Sequence, residues 1–221
     1  MFARDLREEG LIQAKGYLRG MQLLHPITEE EVIAVFLRGE LDSGRYGAKL
    51  RGLLARDGRA EDVLRRPDLG DVEANAYRRR LLDEHRAYAR RDEMFGGFPQ
   101  RVDWFRAALE RDEVLDILYI DWDWWLELSG GTRRPRIAAR RILAGEVDGA
   151  TATEHEPLAV ALRATPPPPA LIAVTTPAHE SLVLVEGHVR LTAYALFPEY
   201  LPPELEILLG VSDEMAMWWA F

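Results

Sequence analysis

The 221-residue sequence contains no cysteine, and only two of its 28 basic residues are lysines, Lys15 and Lys49. The absence of cysteine excludes disulfides, thiolate metal sites and a cysteine nucleophile. No apolar run approaches the ~18 residues that a membrane helix needs, and the charged start, MFARDLREEG, lacks the apolar core of a signal peptide. We therefore expect a cytoplasmic protein without membrane contact, in which any phosphate site depends on arginine or on main-chain N–H groups.

The net charge of −9 comes from one part of the chain. Residues 145–221 hold 11 acidic residues and two arginines, Arg163 and Arg190, whereas residues 1–144 are balanced at 26 of each sign. An acidic surface repels nucleic acid, because affinity for its backbone comes largely from protein cations that displace counterions. We therefore do not expect duplex DNA as a partner, and Arg190 stands out as a rare cation in its region.

The first half of the sequence predicts helices. ITEEEVIAVFLRGEL has Thr28 as N-cap and Glu31 three residues later, a capping-box pattern. Three further helices are predicted, in GRYGAKLRGLLARDG, in DVEANAYRRRLLDEHRAYARRDEMF, which starts at Asp71, and in RVDWFRAALERD. The arginines of the long third helix, Arg78 and Arg86 among them, are expected on its outer, solvated face.

From Val114 the pattern favours strands that alternate with helices. VLDILYI, ALIAVTT, LVLVE and ELEILLGV predict strands, RRPRIAARRILAG and HVRLTAYALF predict helices, and WDWWLELSGG predicts a strand or a tight aromatic turn. Four prolines at 166–169 predict an extended spacer. We expect an α+β protein in which a helical region, residues 1–110, precedes a small mixed α/β domain, residues 111–221.

LVLVEGHVRLTAYAL places four residues of unusual chemistry at one strand-to-helix junction. The strand ends at Glu186, Gly187 makes the turn, and His188 opens a helix whose free N–H groups and dipole favour anions. Because helical side chains lean towards the N-terminus, Arg190 and His188 can converge on a phosphate. Glu186 can orient one of them, hold a cation or accept a proton. The structural alternative is a Glu186–Arg190 ion pair that fixes the turn.

A second candidate phosphate site is the glycine-rich turn before the helix of RRPRIAARRILAG. Main-chain N–H groups of such a turn can cradle a phosphate, and an arginine can clamp its oxygens. The alternative is that the threonine only caps the helix and the arginines only form a solvated face. The candidate cofactor-binding residues of this turn are Gly130, Gly131, Thr132, Arg133 and Arg134.

Tryptophans are concentrated in YIDWDWWLEL and in the terminal MAMWWAF. Core packing is the favoured role for Trp122 and Trp124, with base stacking as the alternative, and Asp121 and Asp123 are weak candidates for Mg²⁺. The apolar end is expected to pack against the domain through Met217, Trp218 and Phe221, or to form a homodimer interface. The histidine spacing predicts no dedicated zinc site, and there is no P-loop motif.

LVLVEGHVRLTAYAL followed by ELEILLGV resembles the ParB/sulfiredoxin-like superfamily over residues 170–210. In that family a strand, an acidic-Gly-His-x-Arg box and a helix bind nucleotide phosphates. The resemblance implies that Gly187, His188 and Arg190 bind phosphate, with Glu186 as the acidic member. Two branches fit poorly, since sulfiredoxin activity needs a cysteine and partition-type members carry a helix-turn-helix domain that we do not find in this sequence.

The resemblance implies a nucleotide-binding phosphotransferase, such as a small-molecule kinase, or an NTPase. ATP, ADP or CTP with Mg²⁺ would be the cofactor, and Glu186, His188 and Arg190 would be the catalytic residues. The alternative is a non-catalytic module, regulatory or defence-associated, that senses a nucleotide or binds a partner protein. The acceptor, whether a small molecule or a protein partner, is left open by the sequence.

Overall fold

The computed structural model describes residues 21–163 and 169–221. Within them, five strands form one mixed sheet in the order β1-β2-β5-β3-β4. β3 and β5 are parallel, while β1 with β2, β2 with β5 and β3 with β4 are antiparallel. The strands are β1 (Gln22–Pro26), β2 (Asp103–Glu110), β3 (Ile172–Thr175), β4 (Val183–Glu186) and β5 (Glu204–Val211).

Nine α-helices lie in the same described residues. Four of them precede β2 and five follow it. They are α1 (Glu29–Leu41), α2 (Gly47–Arg56), α3 (Asp62–Arg65), α4 (Val72–Arg86), α5 (Arg111–Val114), α6 (Asp123–Ser129), α7 (Pro135–Leu143), α8 (Ala152–Ala161) and α9 (His188–Leu196). None of the helices in this part of the chain is both long and apolar enough to cross a membrane.

The sheet is covered on both faces, because successive strand residues point to opposite sides. On one face, Ile172 and Val174 of β3 belong to a core built with α1 to α4. On the other, Leu171 and Ala173 belong to a core built with α5 to α9. The helices of the N-terminal part therefore pack on the same sheet as the helices that follow β2.

The expected α+β class with a helical N-terminal part is confirmed. α1 starts where the sequence indicated, since the Thr28 side chain accepts the N–H of Glu31 at 3.3 Å. The reciprocal half of the capping box is missing, because the Glu31 carboxylate pairs with Arg106 instead. β3, β4, β5, α7 and α9 also form where they were predicted.

The helix predicted in RVDWFRAALERD is wrong, since Asp103–Glu110 form β2. β2 lies between β1 and β5 with both faces covered, so Trp104, Ala108 and Leu109 are buried in a pattern that imitates a helical face. Strand β2 pairs with β5, so the sheet crosses the predicted boundary at residue 110.

Two predictions after β2 also fail. VLDILYI forms no regular strand; only Leu118 bridges to Val183, beside the edge strand β4. WDWWLELSGG contains the helix α6 rather than a strand. The predicted proline spacer lies almost wholly outside the described residues.

Candidate functional site

The sequence-predicted box at 186–190 lies at the junction of β4 and α9, as the strand-turn-helix pattern required. Gly187 is the N-cap of α9 and has a φ of 105°, a left-handed conformation that side chains disfavour. A Cβ atom at this position would collide with the Leu171 side chain. Glycine is therefore needed here for the turn itself and for its close packing on Leu171, the residue before β3, before any ligand is considered.

The Arg190 guanidinium is turned towards the protein rather than towards a ligand site. Its Nη2 donates to the Glu186 carboxylate at 2.8 Å, and its Nη1 donates to the main-chain oxygen of Pro169. The side chain is 10 % exposed and that of Glu186 17 %. The geometry is the ion pair named as the structural alternative.

Glu186 belongs to a buried group of charges that joins the box to the N-terminal helices. Burial raises the pKa of Glu186, while Arg190 and the Gly187 amide favour its charged form and Glu40 opposes it. The contact with α1 requires a glycine at position 39, because a Cβ there would lie 2.5 Å from Glu186 Oε1. Helix α1 therefore lies directly against the carboxylate of the box.

The second half of this buried group comes from α1 and α4. The Glu40 carboxylate, 3 % exposed, accepts from Arg86 Nη2 at 2.7 Å and faces His85 Nε2 at 3.1 Å. Arg86 also stacks over the Tyr46 ring at 3.8 Å. The expectation that Arg86 lies on a solvated face is therefore wrong. Arg78 is likewise buried and donates to main-chain oxygens of Val63 and Asp68.

His188 is packed into the core beside the box. Its ring stacks on Trp125 at 4.8 Å and on Tyr119 at 6.0 Å, and its Nε2 accepts the Ile120 N–H at 3.5 Å. Burial lowers the pKa of His188 to about 3, with help from the positive charges of Arg86 and Arg190. The imidazole is therefore neutral at pH 7 and supplies no positive charge to an anion.

A nucleotide phosphate does not fit the box as these side chains are arranged. The guanidinium that would bind it is paired with Glu186, and that carboxylate lies beside the Gly187 amide at the start of α9. A phosphate that bound Arg190 would have to displace this carboxylate. No chemical step through a nucleotide can be derived from this arrangement.

The glycine-rich turn at 130–134 uses its arginine to hold the end of the chain. Arg133 Nε donates to Tyr119 O at 2.7 Å, and its Nη1 and Nη2 donate to the main-chain oxygens of Phe221 at 2.6 Å and Ala220 at 3.0 Å. Burial lowers the pKa of Arg133. This guanidinium is committed to three main-chain oxygens.

The other residues of the turn also have local roles. Gly130 and Gly131, with φ of 61° and 79°, end α6. Thr132 Oγ1 donates to Ser129 O at 2.8 Å and accepts the Arg134 N–H. The Arg134 side chain is exposed at the start of α7. Tyr119 lies between the glycine-rich turn and the 186–190 box, since it contacts both Arg133 and His188.

The described residues offer no group of three or more His, Asp or Glu side chains placed to hold a metal ion. Asp121 and Asp123 are both exposed on either side of Trp122. A cavity of about 270 Å³ lies elsewhere, next to the start of α1, and is lined by Glu29, Arg91, Gln100, Arg101, Val102, Asp103 and Trp104. None of the predicted site residues lines that cavity.

An exposed aromatic feature was missed by the preference for core packing. Trp122 is 41 % exposed and Trp219 47 %, and their ring centroids are 5.6 Å apart. Of the terminal residues expected to pack against the domain, Trp218 is buried and Phe221 is partly buried, as predicted, whereas Met217 is 76 % exposed. We call Trp122, Met217 and Trp219 the tryptophan surface. The signal in the sequence was the alternation of acids with tryptophans in YIDWDWW, which an interior segment does not tolerate.

Comparisons with protein-family models, with curated proteins and with solved structures found nothing that matches this chain.

Proposed function

We propose that this protein is a non-catalytic protein-interaction module, in which the 186–190 box stabilises the fold and an exposed surface binds the partner. The observation that carries this proposal is the commitment of Arg190 to Glu186 and Pro169 against α1. A phosphoryl-transfer site needs cations aimed at the transferred group. Here the corresponding guanidinium is used to neutralise a buried carboxylate.

The tryptophan surface supports the binding half of the proposal. Large aromatic side chains are enriched where proteins contact one another, and contiguous exposed apolar groups on a folded domain mark binding sites. Trp219 is held in place, since its indole donates to Glu93 O at 3.1 Å, and the Trp122 ring lies against it. Rigid aromatic groups of this kind lose little conformational entropy when a partner binds.

Assays of nucleotide binding and hydrolysis test the claim that the protein is non-catalytic. Purified protein is mixed with ATP, ADP or CTP and Mg²⁺, heat of binding is measured by calorimetry, and released phosphate is assayed. We expect no release above that of buffer. Release that disappears in Arg190→Gln but persists in Arg134→Gln, with both variants folded by circular dichroism, would overturn the proposal.

A nucleotide-binding phosphotransferase or NTPase of the ParB-like type is the second candidate. The observation in its favour is that the first-turn N–H groups of α9 receive no side-chain cap. Those groups form an anion-favouring helix start next to a glycine and an arginine. This candidate requires Glu186 to leave Arg190, so Glu186→Gln would bind nucleotide more tightly than the wild-type protein in the same calorimetry.

A further inference from the structure

Three separate segments of the chain meet at the tryptophan surface. Residues 121–123 reach the C-terminal segment through the Asp121 N–H, which donates to Ala220 O at 3.1 Å, and through the Trp122–Trp219 ring contact. Residues 92–97 reach it through the hydrogen bond from Trp219 to Glu93 O. Residues 213–217 precede Trp219 in the chain and form a turn in which the Met217 N–H donates to Glu214 O at 2.9 Å.

Six exposed carboxylates belong to these three segments. We call them the carboxylate rim, which consists of Asp92, Glu93, Asp121, Asp123, Asp213 and Glu214. Among residues 21–163 and 169–221, no cation lies within 4.0 Å of any rim carboxylate in an ion pair. The surface therefore combines aromatic faces with a negative charge that the described chain leaves largely uncompensated.

Two arginines, Arg133 and Arg91, are engaged with other groups of the protein. Arg133 lies close enough to Asp121 to feel its charge, yet all three of its nitrogens donate to main-chain oxygens. Arg91 lies over the Tyr88 ring at 4.3 Å and donates to Tyr88 O. Neither guanidinium forms an ion pair with a rim carboxylate in the part of the chain that the structure describes.

We infer that the tryptophan surface and its carboxylate rim bind an arginine-bearing segment of a partner protein. This inference rests on the proposed function and names the chemistry of the partner. A guanidinium is planar and weakly hydrated, so it stacks on an indole face while its N–H groups reach carboxylates. The carboxylate rim also steers a basic segment towards the surface over a distance of about a Debye length.

The same charges disfavour two other occupants. A nucleotide or nucleic acid stacked on Trp122 would bring its phosphates against the carboxylate rim, which repels them. A second copy of this chain in a two-fold dimer would place the rim against itself, because the same patch faces its mate in such an interface. Charge complementarity therefore selects a basic partner.

The test uses the full chain and a blocked peptide, acetyl-Gly-Arg-Gly-Arg-Gly-Arg-amide, as the probe. Binding is followed by NMR shifts of the indole N–H signals. The peptide with citrulline in place of arginine keeps the shape without the charge, and a glutamate peptide reverses it. We expect the Trp122 and Trp219 signals to shift with the arginine peptide, with affinity reduced roughly tenfold or more for the citrulline peptide.

Variants locate the binding surface. Trp122→Leu and Trp219→Leu keep apolar area but remove the aromatic face, and Asp121→Asn with Asp123→Asn removes rim charge. We expect each variant to lower the affinity for the arginine peptide by roughly fivefold or more. Leu143→Ala and Asp148→Asn, both at exposed positions elsewhere, are the matched controls and should leave binding unchanged.

Several results would overturn the inference. They are absence of binding by the arginine peptide, equal binding of the citrulline peptide, binding that the tryptophan and rim variants do not change, or indole shifts with ATP in place of the peptide. Concentration-dependent dimerisation that Trp219→Leu abolishes would assign the surface to a second copy instead. Phosphate release measured on the same samples tests the proposed function separately, so the two failures are distinguishable.

Discussion

At the junction of β4 and α9, an arginine, a glutamate and a histidine point into the protein, whereas the tryptophans and acids of the surface around Trp122 point outwards. In the box, Arg190 meets a carboxylate and a carbonyl, and His188 meets two aromatic rings. On the tryptophan surface, the rings contact each other and the described chain supplies no cation to the rim in an ion pair.

The comparison teaches that the residue types of a site do not establish that their side chains are available to a ligand. The box has the glycine, histidine and arginine that a phosphate site uses, but all three are engaged in contacts within the protein. The tryptophan surface consists of large apolar side chains that often pack in a core, yet its groups remain accessible. Availability depends on what packs against a group, which here is α1 for the box.

The largest expected effect tests whether the box is a structural joint. Arg190→Gln leaves Glu186 buried without its cation, so we expect the free energy of unfolding to fall by roughly 3–5 kcal/mol at pH 7. The loss should shrink as pH is lowered, because burial already raises the pKa of Glu186 and protonation then removes the buried charge. Urea denaturation at pH 7 and pH 5 measures both effects.

The variant Glu186→Gln and the double variant Glu186→Gln/Arg190→Gln are the controls for that prediction. Once Gln replaces Glu186, removal of Arg190 no longer strands a charge, so the double variant should be more stable than Arg190→Gln alone. A loss below about 1 kcal/mol in Arg190→Gln, at the level of an exposed ion pair, would show that the guanidinium is free and would reopen the phosphate interpretation.

Two glycine variants, one in the box and one in the glycine-rich turn, should have effects of intermediate size on the free energy of unfolding. Gly187→Ala forces a side chain into a φ of 105° and against Leu171, so we expect a loss of roughly 3 kcal/mol. Gly131→Ala has a φ of 79° but no atom within 4 Å of the added methyl group. Its loss should be only about 1 kcal/mol, from the backbone alone.

Thermal and urea unfolding of the two alanine variants provide the measurement. Equal losses would mean that the Leu171 contact contributes nothing and that Gly187 is needed for its backbone conformation only. That result would leave room for a ligand above the turn, contrary to the packing described for the box.

The smallest effect concerns the pH dependence of stability through His188. Its pKa is about 3 in the folded protein, against about 6.5 when unfolded. Between these values the unfolded chain binds a proton that the folded protein does not, so stability falls as pH is lowered. We expect about 1 kcal/mol to be lost between pH 6.5 and pH 5.5 through this group.

His188→Phe keeps a ring against Trp125 and removes this titration. The difference between wild type and variant isolates His188, since His179, whose pKa burial also lowers, and Glu186 are common to both proteins. If the two stability profiles run parallel between pH 6.5 and pH 4, the imidazole is solvated rather than buried.

Much of the local structure was predictable from short-range signals. Thr28 marked the start of α1, and the apolar runs before Thr175 and Glu186 marked β3 and β4. α8 was not predicted although Thr151 and Glu154 form a full capping box that could have revealed it. Each of these signals acts within a few residues, so the sequence carries it directly.

The failures have a common physical cause in long-range contacts. β2 was mistaken for a helix because its neighbours β1 and β5 bury both of its faces. Arg86 was assigned to a solvated face because its partner, Glu40, lies on another helix. The contact of Trp122 with Trp219 was not predicted because the two tryptophans lie far apart in the sequence.

The sequence by itself determined that no thiol chemistry is possible, that the C-terminal third is acidic, and that a strand, a glycine turn and a helix occur at Glu186 to Leu196. Only the tertiary structure decided which charges are used internally and which face solvent. The reason is that the partner of a charged side chain can lie far away in the sequence. Arg133, for example, donates to the main-chain oxygen of Phe221, 88 residues away, and no local sequence pattern identifies that partner.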